Sequence, residues 1–378
     1  MTYLPISDFE QETGAMVALT KQLMAIESPS TDKAAVDRLG VFVAEHLRQL
    51  GAAVIWDEQT QAGNNLYGRW GASGAGGILI MCHMDTVYDL GALARQPIRE
   101  AEGKLLGPGA IDMKASIAMT LTALRLLKQN RLWPDRPVTA LFTSDEEIGS
   151  AHSRAVIERL AKEAALVLCM EPCLAGGALK TARKGIGEMT IVTRGRATHA
   201  GADHENGRNA IAELAHHVLA AQALTNYELG TTVNVGVISG GTRSNVVPDE
   251  ARAEVDFRVA AREEEARLME WMRTRQPVIA GCSVEITGGL NRPPMPRDAT
   301  MQATFERAKM IAKTALGVEL TEGSTGGGSD ANFVAPLGVP VLDGLGAAGN
   351  GAHSEREHIL IDSLAERTAV LAALICGW

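Results

Sequence analysis

The stretch GGILIMCHMD (76–85) decides the fold class. An unbroken apolar run entered through two glycines reads as a strand buried on both faces, the kind found inside a parallel sheet. It ends abruptly in His83-Met84-Asp85. Two further runs have the same character, RPVTALFTS (136–144) and AALVLCME (164–171). Helical patterns separate them, KASIAMTLTALRLLK (114–128) and residues 154–164. Upstream, residues 12–26 and 33–50 have helical spacing, the second stopped by Gly51, and AAVIW (52–56) and NLYGRW (65–70) read as short strands. Repeated strand–helix–strand order predicts an α/β fold with a mostly parallel central sheet covered by helices.

The texture changes after about residue 180. GEMTIVTRG (187–195) alternates like a half-exposed strand, and a helix follows at 205–223. Then come TTVNVGVIS (231–239), ARAEVDFRVA (251–260), a charged helix at 262–275 and SVEIT (283–287). The order β-α-β-β-α-β predicts an inserted α+β domain of the ferredoxin-like kind. NRPPMPRD (291–298) is a proline-rich exit, after which a helix (299–315), the loop TGGGSDA (325–331), a strand (339–342) and a last helix (361–375) complete the chain. The predicted organisation is a catalytic domain in two parts, 1–182 and 294–378, interrupted by a dimerisation or lid domain at 183–293. A length of 378 residues suits two such domains.

Composition narrows the function. Thirty-six basic against 45 acidic residues leave a net charge of −9, which lacks the basic surface expected for nucleic acid or an anionic membrane. Aromatic residues at 4% make a base-stacking platform a poor reading, and no apolar run reaches the ~18–20 residues of a membrane span. MTYLPISDFEQE has neither the basic start nor the apolar centre of a secretory signal. Five scattered cysteines, Cys82, Cys169, Cys173, Cys282 and Cys376, read as reduced, mostly buried thiols of a cytoplasmic protein.

In open α/β sheets, ligands bind at the carboxyl ends of the strands. Four polar clusters are expected there: His83-Met84-Asp85, Gly107 to Asp112, Ser144-Asp145-Glu146-Glu147, and Glu171-Pro172. A fifth, Gly351-Ala352-His353-Ser354, lies near the C-terminus. Singly, each is an ordinary loop. Together they bring two imidazoles and several carboxylates to one sheet edge, a donor set suited to borderline divalent metals such as Zn²⁺. Converging carboxylates without a cation repel one another, and some are forced to protonate.

The sequence resembles the zinc-dependent glutamate carboxypeptidases of the carboxypeptidase G type. Their superfamily also contains aminoacylase, acetylornithine deacetylase and succinyl-diaminopimelate desuccinylase. The stretches that carry the resemblance are MCHMDTVYDLGALARQPIREAEGKLLGPGAIDMK (81–114), FTSDEEIGS (142–150), MEP (170–172), RGRATHAG (194–201), SNVVPDEARAEVDFR (244–258), GGGSDANF (326–333) and GAHSE (351–355). One departure follows Asp112: many relatives have two glycines after the lysine, and here Lys114 precedes Ala115-Ser116.

The resemblance implies a zinc-peptidase-like catalytic domain with two Zn²⁺ per chain, Co²⁺ or Mn²⁺ being possible substitutes. It implies that His83 and Glu171 bind one metal, Glu147 and His353 the other, and that Asp112 bridges them. Asp85, two residues after His83, would take the imidazole N–H on its carboxylate and fix the tautomer. Glu146 would be the general base, pointing away from Glu147 in an extended loop. His199 would reach the oxyanion or substrate from the partner subunit of a homodimer joined through the inserted domain. Asn245 and Arg258 match residues that hold the substrate carboxylate, Arg258 having the alternative of an edge-strand salt bridge. Gly327 and Gly328, with Gly326, suit close approach of backbone to a ligand. His46, His152, His204, His216, His217 and His358 are expected to face solvent.

The expected function is a zinc-dependent amidohydrolase that releases a C-terminal amino acid, glutamate first, from a small peptide or N-acyl amino acid. The nearest alternative is an N-acyl-amino-acid deacylase of the same mechanism, and a remote one is a non-catalytic metal-binding sensor.

Overall fold

The computed structural model describes residues 2–72 and 74–378. The chain forms two compact units: Met1–Ala182 with Arg297–Ser324 and Ser329–Trp378, and Arg183–Pro296 with Thr325–Gly328. The loop Thr325–Gly328, read from the sequence as part of the second catalytic segment, clusters with the second unit. The reason is steric. A Cβ on Gly328 would lie 2.5 Å from Ile186 Cδ1 and 2.7 Å from Arg292 Cδ, so only glycine lets this loop lie on those side chains.

The first unit is built on an eight-stranded sheet. Its order is Ala53–Asp57, Asn65–Trp70, Val138–Thr143, Gly77–His83, Ala164–Cys169, Val341–Asp343, Leu179–Arg183 and Glu322–Thr325. The four middle strands are parallel, and antiparallel strands flank them. Gly77–His83 is buried at every position, as its apolar run requires. Helices Ala115–Gln129 and Ser363–Gly377 pack into the core with few exposed residues, whereas Lys33–Gln49 buries one face only. Asp32 caps that helix by accepting the Ala35 N–H. A small antiparallel sheet was not foreseen: Gly349–Asn350, His358–Leu360, Lys104–Leu106 and Arg99–Ala101. Its strands are two or three residues long, too short to leave a periodic signal.

The second unit has the predicted β-α-β-β-α-β order. Its four antiparallel strands are arranged Thr232–Gly240, Glu250–Val259, Gly185–Arg194 and Ser283–Arg292. Alternate residues of Gly185–Arg194 and Glu250–Val259 are buried, and helices Ala210–Gln222 and Arg262–Thr274 supply the other half of that core. Thr232–Gly240 is an edge strand, with Val237 and Ile238 exposed. His217 corrects an expectation: it is buried beside Glu213, Nε2 lying 2.7 Å from Oε1, because position 217 falls on the core face of its helix. Among the described residues, no helix is long and apolar enough to cross a membrane. All five cysteines are free; Cys82 and Cys169 are buried and the other three half-buried.

Candidate metal centre and active site

Parallel register brings the polar clusters to one edge. His83 pairs beside Thr143, and Met81 beside Cys169, so the segments bearing Glu146-Glu147 and Glu171 leave the sheet next to His83. Asp112 sits in the tight turn Ala110–Lys114 that leads into helix Ala115–Gln129, and its peptide bond to Met113 is cis. The turn is locked to the strand end by the His83 N–H, which donates to Met113 Sδ at 3.1 Å.

Asp112 faces both histidines. Its Oδ1 is 2.9 Å from His83 Nε2, and its Oδ2 is 3.3 Å from His353 Nε2. His353 Nε2 is also 3.1 Å from Glu147 Oε2, and His83 Nε2 is 3.7 Å from Glu171 Oε1. Donor atoms of His83, Asp112 and Glu147 all lie within 4.8 Å of one another, and so do those of His83, Glu146 and Glu171. Glu146 therefore stands beside both His83 and Glu171.

The electrostatics follow from crowding. Burial opposes a charge on His83, but hydrogen bonds and charge from Asp112 and Asp85 outweigh it and hold its pKa well above the usual imidazole range. Hydrogen bonds to Asp112 and Glu147 raise that of His353 to about 10. Burial likewise opposes the charge on Asp112, yet the two imidazoles hold its carboxyl far below the carboxylate range. Burial pushes Glu147 up despite its bond to His353, and its Oε1 is buried with no hydrogen-bond partner among the described residues.

Asp85 departs from expectation. The nearest acceptor to His83 Nδ1 is the Asp85 main-chain carbonyl, at 3.0 Å, and the carboxylate lies at 3.5 Å. That carboxylate accepts the backbone N–H of Glu146 at 3.2 Å and of Glu147 at 3.1 Å, and the Ser30 hydroxyl at 2.6 Å. Glu146 and Glu147 are not extended either. Residues Glu146–Ile148 form a 3₁₀ turn, whose first N–H groups need an acceptor, and Asp85 supplies it. Asp330, from the GGGSDA loop, braces the same segment by accepting from Thr143 Oγ1 at 3.0 Å and Ser150 Oγ at 2.6 Å. Sequence reasoning also missed Glu357, which is buried against the Asp112 turn. In HSEREH (353–358) it is indistinguishable from its exposed neighbour Glu355.

The remaining candidates lie in the second unit. His199 and Asn245 are adjacent and exposed: Ala200 N donates to Asn245 O at 3.0 Å, and His199 bridges to Val246. His199 Nδ1 accepts the N–H groups of Gly201, at 3.1 Å, and Ala202, at 3.0 Å. An imidazole nitrogen that accepts two N–H bonds carries no proton, so the ring proton sits on Nε2, which is a donor. Arg258 is on Glu250–Val259, an inner strand rather than an edge. There it forks onto Asp256, with Nε 3.0 Å from Oδ1 and Nη2 2.8 Å from Oδ2. The carbonyls of Gly327 and Gly328 accept from Arg183, at 3.1 and 2.7 Å.

The pattern of Peptidase family M20/M25/M40 matches residues 79–376. Carboxypeptidase G2 of Pseudomonas sp. (strain RS-16) is 32% identical over 370 residues, covering 96% of this chain and 89% of that protein. The succinyl-diaminopimelate desuccinylase of Pseudoalteromonas atlantica is 26% identical over 381 residues, covering 95% and 98%. In fold, the chain superposes on the aminopeptidase PepT of Bacillus cereus with a TM-score of 0.77 at 24% identity, covering 96% of this chain and 98% of that one. The likeness read from the motifs is thus borne out: the chain is a hydrolytic metallopeptidase belonging to Peptidase family M20/M25/M40.

Proposed function

We propose that this enzyme is a di-zinc exopeptidase that releases a C-terminal amino acid, preferably glutamate, from small peptides or N-acyl amino acids. The observation that carries the reading is the placement of Asp112, one oxygen toward His83 and the other toward His353. The donor set fits two cations: two imidazoles, a carboxylate facing both, and in Glu147 Oε1 a buried oxygen that no described residue satisfies. His83 and Glu171 would hold one ion, Glu147 and His353 the other, with Asp112 shared. Bound divalent ions supply Lewis acidity that acidifies water and polarises the scissile carbonyl.

The chain's own groups do the rest. Glu146, anchored through its N–H to Asp85, takes the proton of the attacking water and returns it to the leaving amine. His199, held as an Nε2–H donor, stabilises the developing oxyanion. Arg258 and Asn245 hold the substrate carboxylate, with the Gly327–Gly328 backbone beside it.

Strand geometry supports a composite site. His199 and Asn245 lie near the end where Glu250 pairs with Arg194, and Arg258 lies near the end where Val259 pairs with Gly185. Ten strand residues separate those ends by about 30 Å, too far for one small substrate to touch both in one chain. A homodimer through the second unit, in which His199 and Asn245 of the partner subunit complete each site beside Arg258, removes the difficulty. In this reading 1–182 and 294–378 are the catalytic part and 183–293 the dimerisation domain.

The desuccinylase relative favours one second reading, deacylation of N-acyl amino acids by the same chemistry. A panel of C-terminal glutamyl peptides, N-acetyl amino acids and N-succinyl amino acids, assayed with added Zn²⁺ for release of free amino acid, separates the two. Preferential release of glutamate supports the exopeptidase. Preference for the acyl series favours the deacylase, and no turnover across the panel overturns both in favour of a metal-binding sensor.

A further inference from the structure

Glu357 has no side-chain exposure and no place in the reaction described above, yet its carboxylate meets four hydrogen-bond donors. Oε1 accepts the backbone N–H of Ile111 at 2.9 Å and of Asp112 at 3.2 Å. Oε2 accepts the N–H of Gly109 at 3.1 Å and lies 2.6 Å from the Tyr88 hydroxyl. Three of the four N–H donors of the Gly109–Asp112 turn thus converge on one buried side chain, while that of Ala110 turns back to Gly107 O. The turn has no regular helical pairing for those N–H groups, so without Glu357 they would be buried and unsatisfied.

The same residue connects other parts of the site. Its main-chain carbonyl accepts the Gly107 N–H at 3.2 Å, and its own N–H donates to Ser354 O at 3.0 Å, in the turn that carries His353. The Tyr88 hydroxyl lies 2.9 Å from that Ser354 carbonyl, and Tyr88 follows Asp85 by three residues. Strand His358–Leu360, which begins at the next residue, pairs with Lys104–Leu106 immediately before the Gly107 turn. Glu357 therefore ties together the segments that present His83, Asp112 and His353.

Building on the di-metal reading, we infer that Glu357 is a positioning residue for the metal-binding cluster: it fixes the main chain at Asp112, and with it the spacing between His83 and His353 across which Asp112 reaches. It touches neither substrate nor metal. Partners one bond removed from ligands typically change metal affinity by about 10–100-fold when lost.

The test is Co²⁺ titration of the metal-stripped full-length protein, followed by visible absorption, with Tm recorded alongside. Glu357→Gln keeps one acceptor oxygen but turns an NH₂ toward either the Gly109 N–H or the Ile111 and Asp112 N–H groups. Its Co²⁺ affinity should fall about 10–100-fold with a changed band shape. Tyr88→Phe, which removes one of the four donors, should shift affinity less and in the same direction. Glu213→Gln is the control, a buried carboxylate that accepts the N–H groups of Val278 and Ile279 in the other unit. It should lower Tm and leave Co²⁺ binding alone. Wild-type affinity in Glu357→Gln, or a loss no greater than in the control, overturns the inference. If Glu357→Gln does not fold, unchanged binding in Tyr88→Phe overturns it. A wild-type protein that takes up no Co²⁺ overturns the di-metal reading itself, which is a separate outcome.

Discussion

The Glu147 N–H donates to Asp85 Oδ2 at 3.1 Å, so the carboxylate at the end of the central strand holds the turn that presents the acidic pair. Asp85 and His83 meet mainly through the Asp85 main chain, which survives any side-chain change at that position. Asp85→Asn should therefore keep the His83 tautomer and most of the bound zinc. It leaves a buried N–H of the turn without an acceptor, at a cost of about 1–3 kcal/mol, and displaces Glu146 enough to lower kcat by up to about 10²-fold. Zinc analysis beside kcat checks this. Loss of zinc in proportion to activity would mean that Asp85 acts through His83 after all.

Glu146 and Glu147 should separate cleanly. Glu146→Gln removes the base and should lower kcat by about 10²–10⁴-fold with zinc content near wild type. Glu147→Gln should lose zinc, since its Oε2 is the oxygen facing His353. Elemental analysis of the two variants decides the roles, and the reverse pattern would exchange them.

Metal uptake should depend on pH. In the metal-free protein, Asp112 and Glu147 hold the His353 pKa at about 10, above the ordinary value of 6.5. A metal needs the neutral ring and must displace that proton. Affinity should then climb as pH rises toward about 10, roughly tenfold per unit for each proton displaced, and level off above. The linked stability has the opposite sense: the protonated ring stabilises the metal-free fold at low pH, and that contribution disappears as pH passes through about 10. Because His353 is half exposed, solvent screens this term and keeps it small. Competition titrations at three pH values measure the slope; a flat profile would contradict it.

In the proposed homodimer, His199 should act on the partner subunit's site. His199→Ala and Glu146→Gln, each nearly inactive alone, should regain partial activity when mixed under subunit exchange, because one composite site per heterodimer is intact. Exchange verified by mass with no recovered activity would place His199 outside the partner's site.

Arg258 should discriminate by substrate charge. It lies in the second unit and is none of the proposed metal ligands, so Arg258→Ala should leave zinc content unchanged. Truncating one side of a buried charge pair costs roughly 2–5 kcal/mol, about 30-fold to several thousandfold in kcat/KM. Arg258→Lys should rescue only in part, since an ammonium cannot reproduce the fork. An amidated substrate should be poor with wild type and lose little more in the variant. Equal damage to acid and amide substrates would mean that the bond to Asp256 is the whole of its role.

The long elements were legible in the sequence because their signal is local. Seven consecutive buried positions in Gly77–His83 require an apolar run, and the alternation in Gly185–Arg194 requires a period of two. His83, Asp112, Glu147, Glu171 and His353 could be named as candidates for a different reason: they fall in the stretches that carry the family resemblance. Tertiary structure decided what local chemistry leaves open. Whether Asp85 reaches an imidazole or two backbone amides depends on the 3₁₀ turn that packs against it from 61 residues away. Whether Arg258 is a free fork or an ion pair depends on Asp256 sharing its face of the sheet. Glu357 and the exposed Glu355 are alike as text, and only the strand pairing at His358–Leu360 turns one of them inward onto the Asp112 turn. A side chain's type is set by the sequence alone; the partner that gives it a role is brought to it by the fold.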